Sequence, residues 1–298
     1  MSPRRADLTL LLATAMWGTS FVAVKTGLAY ATPLAFLAVR FGIAALLLAP
    51  GTRFTPLPRG REFAGGLLLG ALVAVGFVSV TFGLLVTTPS RSAFIVAISS
   101  VLAPVIGFVV LGQRPGWLAA AALAFAGVGM YFLTAPDSGG LNRGDLLTLL
   151  CALCFGGQIV AVSELSRHSD ARRLVWMQIA GTALVSAVAA ALFERPRIDW
   201  TPAFVAALAW TVVFASTLSF MLHAAAQRHM SAARAALIFC FEPLFAAAAS
   251  WLVVGERLSL TQWAGGLLIL GGMTVAELPL RRQPTAIGNQ PASGAGPG

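Results

Sequence analysis

Apolar positions fall in ten runs, at residues 7–28, 33–49, 63–86, 92–111, 117–133, 144–163, 174–193, 202–225, 233–254 and 262–278. Short pieces bearing Pro, Gly or Arg separate them, such as Pro56-Leu57-Pro58-Arg59-Gly60-Arg61 and Arg195-Pro196-Arg197. The runs are apolar on every side rather than alternating or one-faced. A helix of that kind belongs in hydrocarbon, and about 20 residues of helix cross a bilayer. The pattern predicts an all-α membrane protein with ten transmembrane helices. No connection is long enough for a soluble domain, and the tail 281–298, rich in Pro, Gly and Ala, is expected to be disordered.

Composition agrees. Apolar residues make up 58% of the 298 residues and charged residues only 10%, against about 25% charged in a soluble globule. The net charge of +9 does not argue for nucleic acid, because the cations are scattered between apolar runs instead of clustered on one solvated face. Their placement sets orientation instead. With the N-terminus inside, thirteen Lys and Arg fall at cytoplasmic ends, six at outer ends and one, Arg40, within a run. That bias favours both termini in the cytoplasm, in the inner membrane, with an even number of crossings. Arg4 and Arg5 precede an apolar core of only five positions, Leu8 to Leu12, before Ala13-Thr14-Ala15. The first run is therefore read as a retained helix and not as a cleaved signal peptide.

The three cysteines, Cys151, Cys154 and Cys240, sit inside apolar runs. They read as small apolar residues and not as a redox or metal pair. No metal-ligand spacing, cofactor motif or phosphate-binding loop occurs. Lys25 is the single lysine, which argues against a nucleotide-driven pump built from this chain alone.

The chain also repeats itself. Shifted by 138, Asp7 falls on Asp145, Gly18 on Gly156 and Val22-Ala23-Val24 on Val160-Ala161-Val162. Later in each half the shift is 143, which superposes Arg91 on Arg234, Gly112 on Gly255 and Gly129-Met130 on Gly272-Met273. Two five-helix units are predicted, 1–135 and 136–280. Since five is odd, the second enters the membrane from the opposite side. Such a five-plus-five inverted repeat is an architecture of secondary transporters working by alternating access. A non-transporting scaffold has no need of two exchanging halves. A membrane enzyme acting on lipid-linked substrates needs a clustered acid, base or metal set at one face, which the sequence lacks.

Trp17-Gly18-x-Ser20-Phe21, Arg40-Phe41, Glu242-Pro243-Leu244, Gly255-Glu256-Arg257-Leu258 and Trp263 with Gly265 occur in that order. On these residues the chain resembles the EamA-like branch of the drug/metabolite transporter superfamily, over about 7–280. The resemblance implies ten helices in an inverted repeat, a central cavity and export of amino acids or related metabolites. The first half departs from the pattern. Ser99-Ser100 stands where the second half has Glu242-Pro243, and Gln113-Arg114-Pro115 follows Gly112.

Glu242 is the sharpest candidate for substrate binding. A carboxylate inside a membrane helix is costly and is a functional hypothesis by default. It suits a substrate amine or a coupling proton; proton coupling is left open. Arg40, the other charge within a run, suits a substrate carboxylate, but its nearness to Pro33 favours snorkelling to the surface. Trp17 and its counterpart Phe155 are candidate cavity walls. Gln158, Ser99, Ser100 and Trp210 complete the expected site, Trp210 on spacing with Phe214 and Thr217. One carboxylate among aromatic side chains suits an amine with an apolar group, such as an aromatic or branched amino acid.

Overall fold

A computed structural model describes residues 2–52, 60–112, 117–134, 140–165, 169–227, 229, 235 and 238–276. The tail 281–298 and the loop charges Arg53, Arg59, Arg114, Arg167, Arg228 and Arg234 lie outside the described residues. So do Gln113 and Pro115.

The described residues are helical almost throughout, with one isolated bridge, Ala31 with Ile198, as the extended pairing among them. The helices are α1 (Pro3–Gly27), α2 (Pro33–Leu48), α3 (Arg61–Val86), α4 (Pro89–Ala97), α5 (Ser99–Leu111), α6 (Trp117–Leu133), α7 (Arg143–Leu165), α8 (Ala171–Phe193) and α9 (Pro202–Ala209). Then come a π-helical segment (Trp210–Leu218), α10 (Ser219–Gln227), α11 (Glu242–Val254) and α12 (Leu260–Ala276). Seven helical runs are long and apolar enough to cross a bilayer, while α6, α11 and α12 are apolar but shorter.

Helix starts follow local chemistry. Thr32-Pro33, Thr88-Pro89 and Thr201-Pro202 each place Thr at the cap and Pro in the first turn. Pro there gives up no needed donor, and the hydroxyls of Thr88 and Thr201 accept from the NH groups of Arg91 and Phe204. Both α5 and α11 end on a glycine in the left-handed region, Gly112 at φ 67° and Gly255 at φ 72°, where a side chain would be strained.

The fourth run of the first half does not stay straight. It breaks at Ile98, between α4 and α5. In the second half α11 begins at Glu242 after a turn at residues 240–241. The repeat shift carries Ile98 onto Phe241, so the two halves break at the same place.

Packing also exchanges between halves. The first helix of each half lies against the third and fourth runs of the other: α1 packs on α10, the π segment and α11, and α7 on α3, α4 and α5. α2 pairs with α8, and α6 with α12. Glycines permit the close approaches. Gly18 lies against the carbonyl of Glu242, and its repeat partner Gly156 against that of Ser99.

One end of the bundle is locked by polar contacts between halves. Thr32 NH donates to Arg197 O at 3.0 Å, Asp199 NH to Tyr30 O at 2.7 Å, and Leu34 NH to the Glu194 carboxylate at 3.2 Å. Within the first half, at the same end, Lys25 Nζ donates to the carbonyls of Leu84 and Thr87. Glu256 accepts from Ser90 NH at 3.2 Å and Ser90 Oγ at 2.6 Å, and from Ser250 Oγ. At the opposite end, the described residues join the halves through Arg173 and Glu62 at 3.3 Å and through Trp176 Nε1 donating to Ala45 O at 3.0 Å.

Candidate functional site

A cavity of about 280 Å³ lies between the halves, near the lower edge of the roughly 300–1,000 Å³ typical of small-molecule sites. Seven of the eight residues expected from sequence line it: Trp17, Arg40, Ser99, Ser100, Phe155, Gln158 and Glu242. The breaks at Ile98 and Phe241 explain part of this convergence. They put Ser99 and Ser100 at the start of α5 and Glu242 at the start of α11. Discontinuous helices that present their N-terminal ends to a central site are a known device of membrane transporters. An acidic side chain in the first helical turn also has favourable interaction with the helix dipole. Glu242 therefore stands at a helix start and not in the middle of a straight span. Its carboxylate makes no hydrogen bond or ion pair with another described residue.

Arg40 departs from the snorkelling expectation. It is 3% exposed and its Nε donates to Ser216 Oγ at 3.1 Å. The guanidinium carbon lies 4.8 Å from the Phe41 ring centre and 5.3 Å from that of Phe77. Both distances suit cation–π attraction. α2 packs against α8 and the π segment, so the surface is not within easy reach of this side chain. Among the described residues no carboxylate forms an ion pair with it.

The π segment organises the Trp17 side. π-turns are rare and recur at functional sites. Here the Ala215 carbonyl accepts from Trp17 Nε1 at 2.9 Å and from Ser219 Oγ at 2.6 Å, and Ser216 of the same segment holds Arg40. The Trp17 ring meets Phe220, His223 and Phe239 at centroid distances of 5.4, 5.3 and 5.8 Å. On the other wall Phe155 meets Phe77 at 5.3 Å, and Phe77 meets Phe41 at 4.7 Å. Gln158 Nε2 donates to Gln178 Oε1 at 2.9 Å, and Gln178 Nε2 to Leu174 O at 3.1 Å.

Trp210 is the exception. It is not part of the cavity wall; its Nε1 donates to Thr19 Oγ1 at 3.2 Å and its ring packs on Phe214 at 4.7 Å. In a helix apolar on all sides, spacing alone does not set the rotation. The packing of the π segment on α1 does. The sequence reading gave no cavity role to the side chains of Ser20, Phe77, Ser216, Phe239 or His223. Ser20 carried a signal as part of the Trp17-Gly18-x-Ser20-Phe21 motif, and His223 as an imidazole inside an apolar run.

The cysteines Cys151 and Cys154 are buried, and all three cysteines are free. No group of His, Cys, Asp and Glu fit to hold a metal ion occurs among the described residues.

Comparison with known proteins agrees with the architecture. The model of the EamA-like transporter family matches residues 4–135 and again 142–277, once in each half. An uncharacterized transporter of Archaeoglobus fulgidus is 33% identical over 92% of this chain and 86% of its own length. The inner membrane transporter YicL of Salmonella typhimurium, itself uncharacterized, is 25% identical over 96% and 99%. A probable amino-acid metabolite efflux pump of the same organism is 23% identical over 95% and 98%. A solved crystal structure superposes with a TM-score of 0.62 at 19% identity, over 91% of this chain and 97% of that one, which bears on the fold. With two matched repeats, a helical bundle with seven membrane-length runs and relatives that are transporters along nearly their whole lengths, the chain belongs to the EamA-like transporter family and is a multi-pass membrane transporter.

Proposed function

We propose that the protein exports a small zwitterionic metabolite, an amino acid with an aromatic or branched side chain, by alternating access about the central cavity. One observation carries this reading: Arg40 and Glu242 line the same apolar cavity, and neither forms an ion pair with the other or with any other described residue. A buried charge without a partner is expensive. A solute bringing an ammonium to Glu242 and a carboxylate to Arg40 satisfies both at once. Trp17 and Phe155 would then flank its apolar part, with Gln158, Ser99 and Ser100 as hydrogen-bonding groups. The likeness to a probable amino-acid metabolite efflux pump supports the same class.

The framework of this reading is ten crossings in two units, 1–135 and 136–280, inverted relative to each other, with the tail 281–298 and both termini in the cytoplasm. The exchange of packing partners between halves and the matching breaks at Ile98 and Phe241 support the inversion. The relative named as an inner membrane transporter supports that location. Reporter fusions after Gln283 and within 137–140 are expected to read inside and outside; both on one side would overturn the inverted topology.

The substrate test is reconstitution in liposomes with a panel of labelled solutes. Aromatic and branched amino acids are expected to exchange, and amines or carboxylic acids bearing one charge only are expected to compete weakly. Exchange confined to phosphorylated compounds would overturn the zwitterion reading.

A further inference from the structure

Beyond the cavity, on the locked end, lies a second cluster of charges that substrate binding does not use. The cavity wall on α1 ends at Val24 and on α3 at Leu84. The next residue along α1, Lys25, donates to the Leu84 carbonyl itself. Immediately past this contact stands Asp145. Its side chain is wholly buried, and that of Arg91 is 5% exposed. Arg91 Nη2 reaches Asp145 Oδ2 at 2.5 Å and also the Gly140 carbonyl. Thr87 Oγ1 donates to Asp145 Oδ1 at 3.0 Å, and Asn142 NH to Oδ2 at 2.8 Å. One turn deeper, Ser92 Oγ and Thr148 Oγ1 face each other at 3.5 Å, both fully buried.

We infer that Arg91 and Asp145 are the latch that closes this end of the transport pathway, and that their separation opens the cavity to the solvent there. Three features support this. The pair joins the halves, since Arg91 and Thr87 belong to the first and Asp145 to the second. It adjoins the end of the cavity wall through the contacts of Lys25 with Leu84 and Thr87 and of Thr87 with Asp145. It is also polar, although an apolar plug would seal as well. When two charges part into water, each is hydrated and little of the interaction is lost, whereas parting inside hydrocarbon would strand both. A charged seal at a water-facing end is thus stable when closed and can still open. Lys25 on the Leu84 and Thr87 carbonyls, and Glu256 on Ser90, hold the surrounding turns in register. They act as positioning residues. This inference goes beyond the choice of substrate and holds whatever solute is carried.

The test needs no substrate. Cys151, Cys154 and Cys240 are replaced by Ala, and the cavity residue Ser20 is changed to Cys as reporter. A membrane-impermeant maleimide is then applied to reconstituted protein from the side of residues 140–142, and modification of position 20 is read by peptide mass spectrometry. Asp145→Asn and Arg91→Gln are expected to raise labelling from that side about tenfold, with Arg91→Lys close to the parent. Unchanged labelling in folded variants, with thermal stability measured on the same samples, overturns the latch. If the charge-removing variants do not fold, Ser92→Cys with Thr148→Cys, closed by oxidation, decides. Labelling from that side is expected to fall about tenfold on closure and to recover on reduction. Labelling indifferent to the cross-link overturns the proposal.

Discussion

The locked end and the cavity treat charge in opposite ways. At the locked end Asp145 is surrounded by an Arg, a Thr hydroxyl and a backbone NH, and Glu256 by two Ser hydroxyls and a backbone NH. In the cavity Glu242 has no such partner and Arg40 has one hydroxyl and two aromatic faces. The same residue types are thus satisfied within the protein in one region and, under the proposed function, meet an outside partner in the other. Satisfied polar groups rigidify a protein, whereas an unsatisfied one is a cost the fold retains for a use elsewhere.

Substitutions should separate the two regions by which property fails. The largest stability loss is expected for Asp145→Asn, which strands the buried Arg91; breaking a buried pair in this way costs ~3–5 kcal/mol. Thermal or denaturant unfolding in detergent is the measurement, and a loss under ~1 kcal/mol would put Asp145 with the cavity charges. Glu242→Gln should do the reverse. With no ion pair to break it should stay within ~1 kcal/mol of the parent, yet lose most transport in liposomes. A stable variant with full transport would remove Glu242 from the site.

Arg40→Gln should follow Glu242→Gln with a smaller effect. A hydrogen bond to a charged group contributes about 1.5–3 kcal/mol, or about 10- to 150-fold in affinity, and competition with amino-acid analogues that lack the carboxylate should be spared. Equal loss for every analogue would mean that Arg40 supports the bundle only. Below these comes a comparison between repeats. Gly18→Ala places a methyl group on the Glu242 carbonyl, while Gly156→Ala meets Ile106 at 3.0 Å and the Ser99 carbonyl at 3.1 Å. The first should cost about 1–3 kcal/mol and the second less; the reverse order in melting experiments would argue against the close approach at Glu242. The smallest effect is expected for Trp210→Ala, which should keep transport within about twofold, because its side chain packs away from the cavity. Trp17→Ala, losing three ring contacts in the wall, should fall well below it.

The apolar runs, the low charge and the two repeat shifts determined on their own that this chain is a membrane protein of two related halves. They also singled out Glu242, because a carboxylate well inside an apolar run is visible one residue at a time. The repeat register carried further still. Gly18 with Gly156 and Gly112 with Gly255, paired on sequence alone, occupy matching positions in the fold. What the tertiary structure decided is rotation and partnership. Arg40 looked like a surface residue because Pro33 is only seven positions away, and it is buried because α8 and the π segment cover α2. Trp210 looked like a cavity residue by spacing and faces Thr19 instead. Ser216, Phe77 and the Thr87–Arg91–Asp145 cluster could not be found by reading along the chain. Their meaning depends on groups from 37 to 176 positions away, as for Arg40 with Phe77 and with Ser216. Hydrophobicity sorts residues between lipid and water, and it acts on each residue separately. Which polar groups meet inside depends on how helices with no polar face rotate against each other, and only packing sets that.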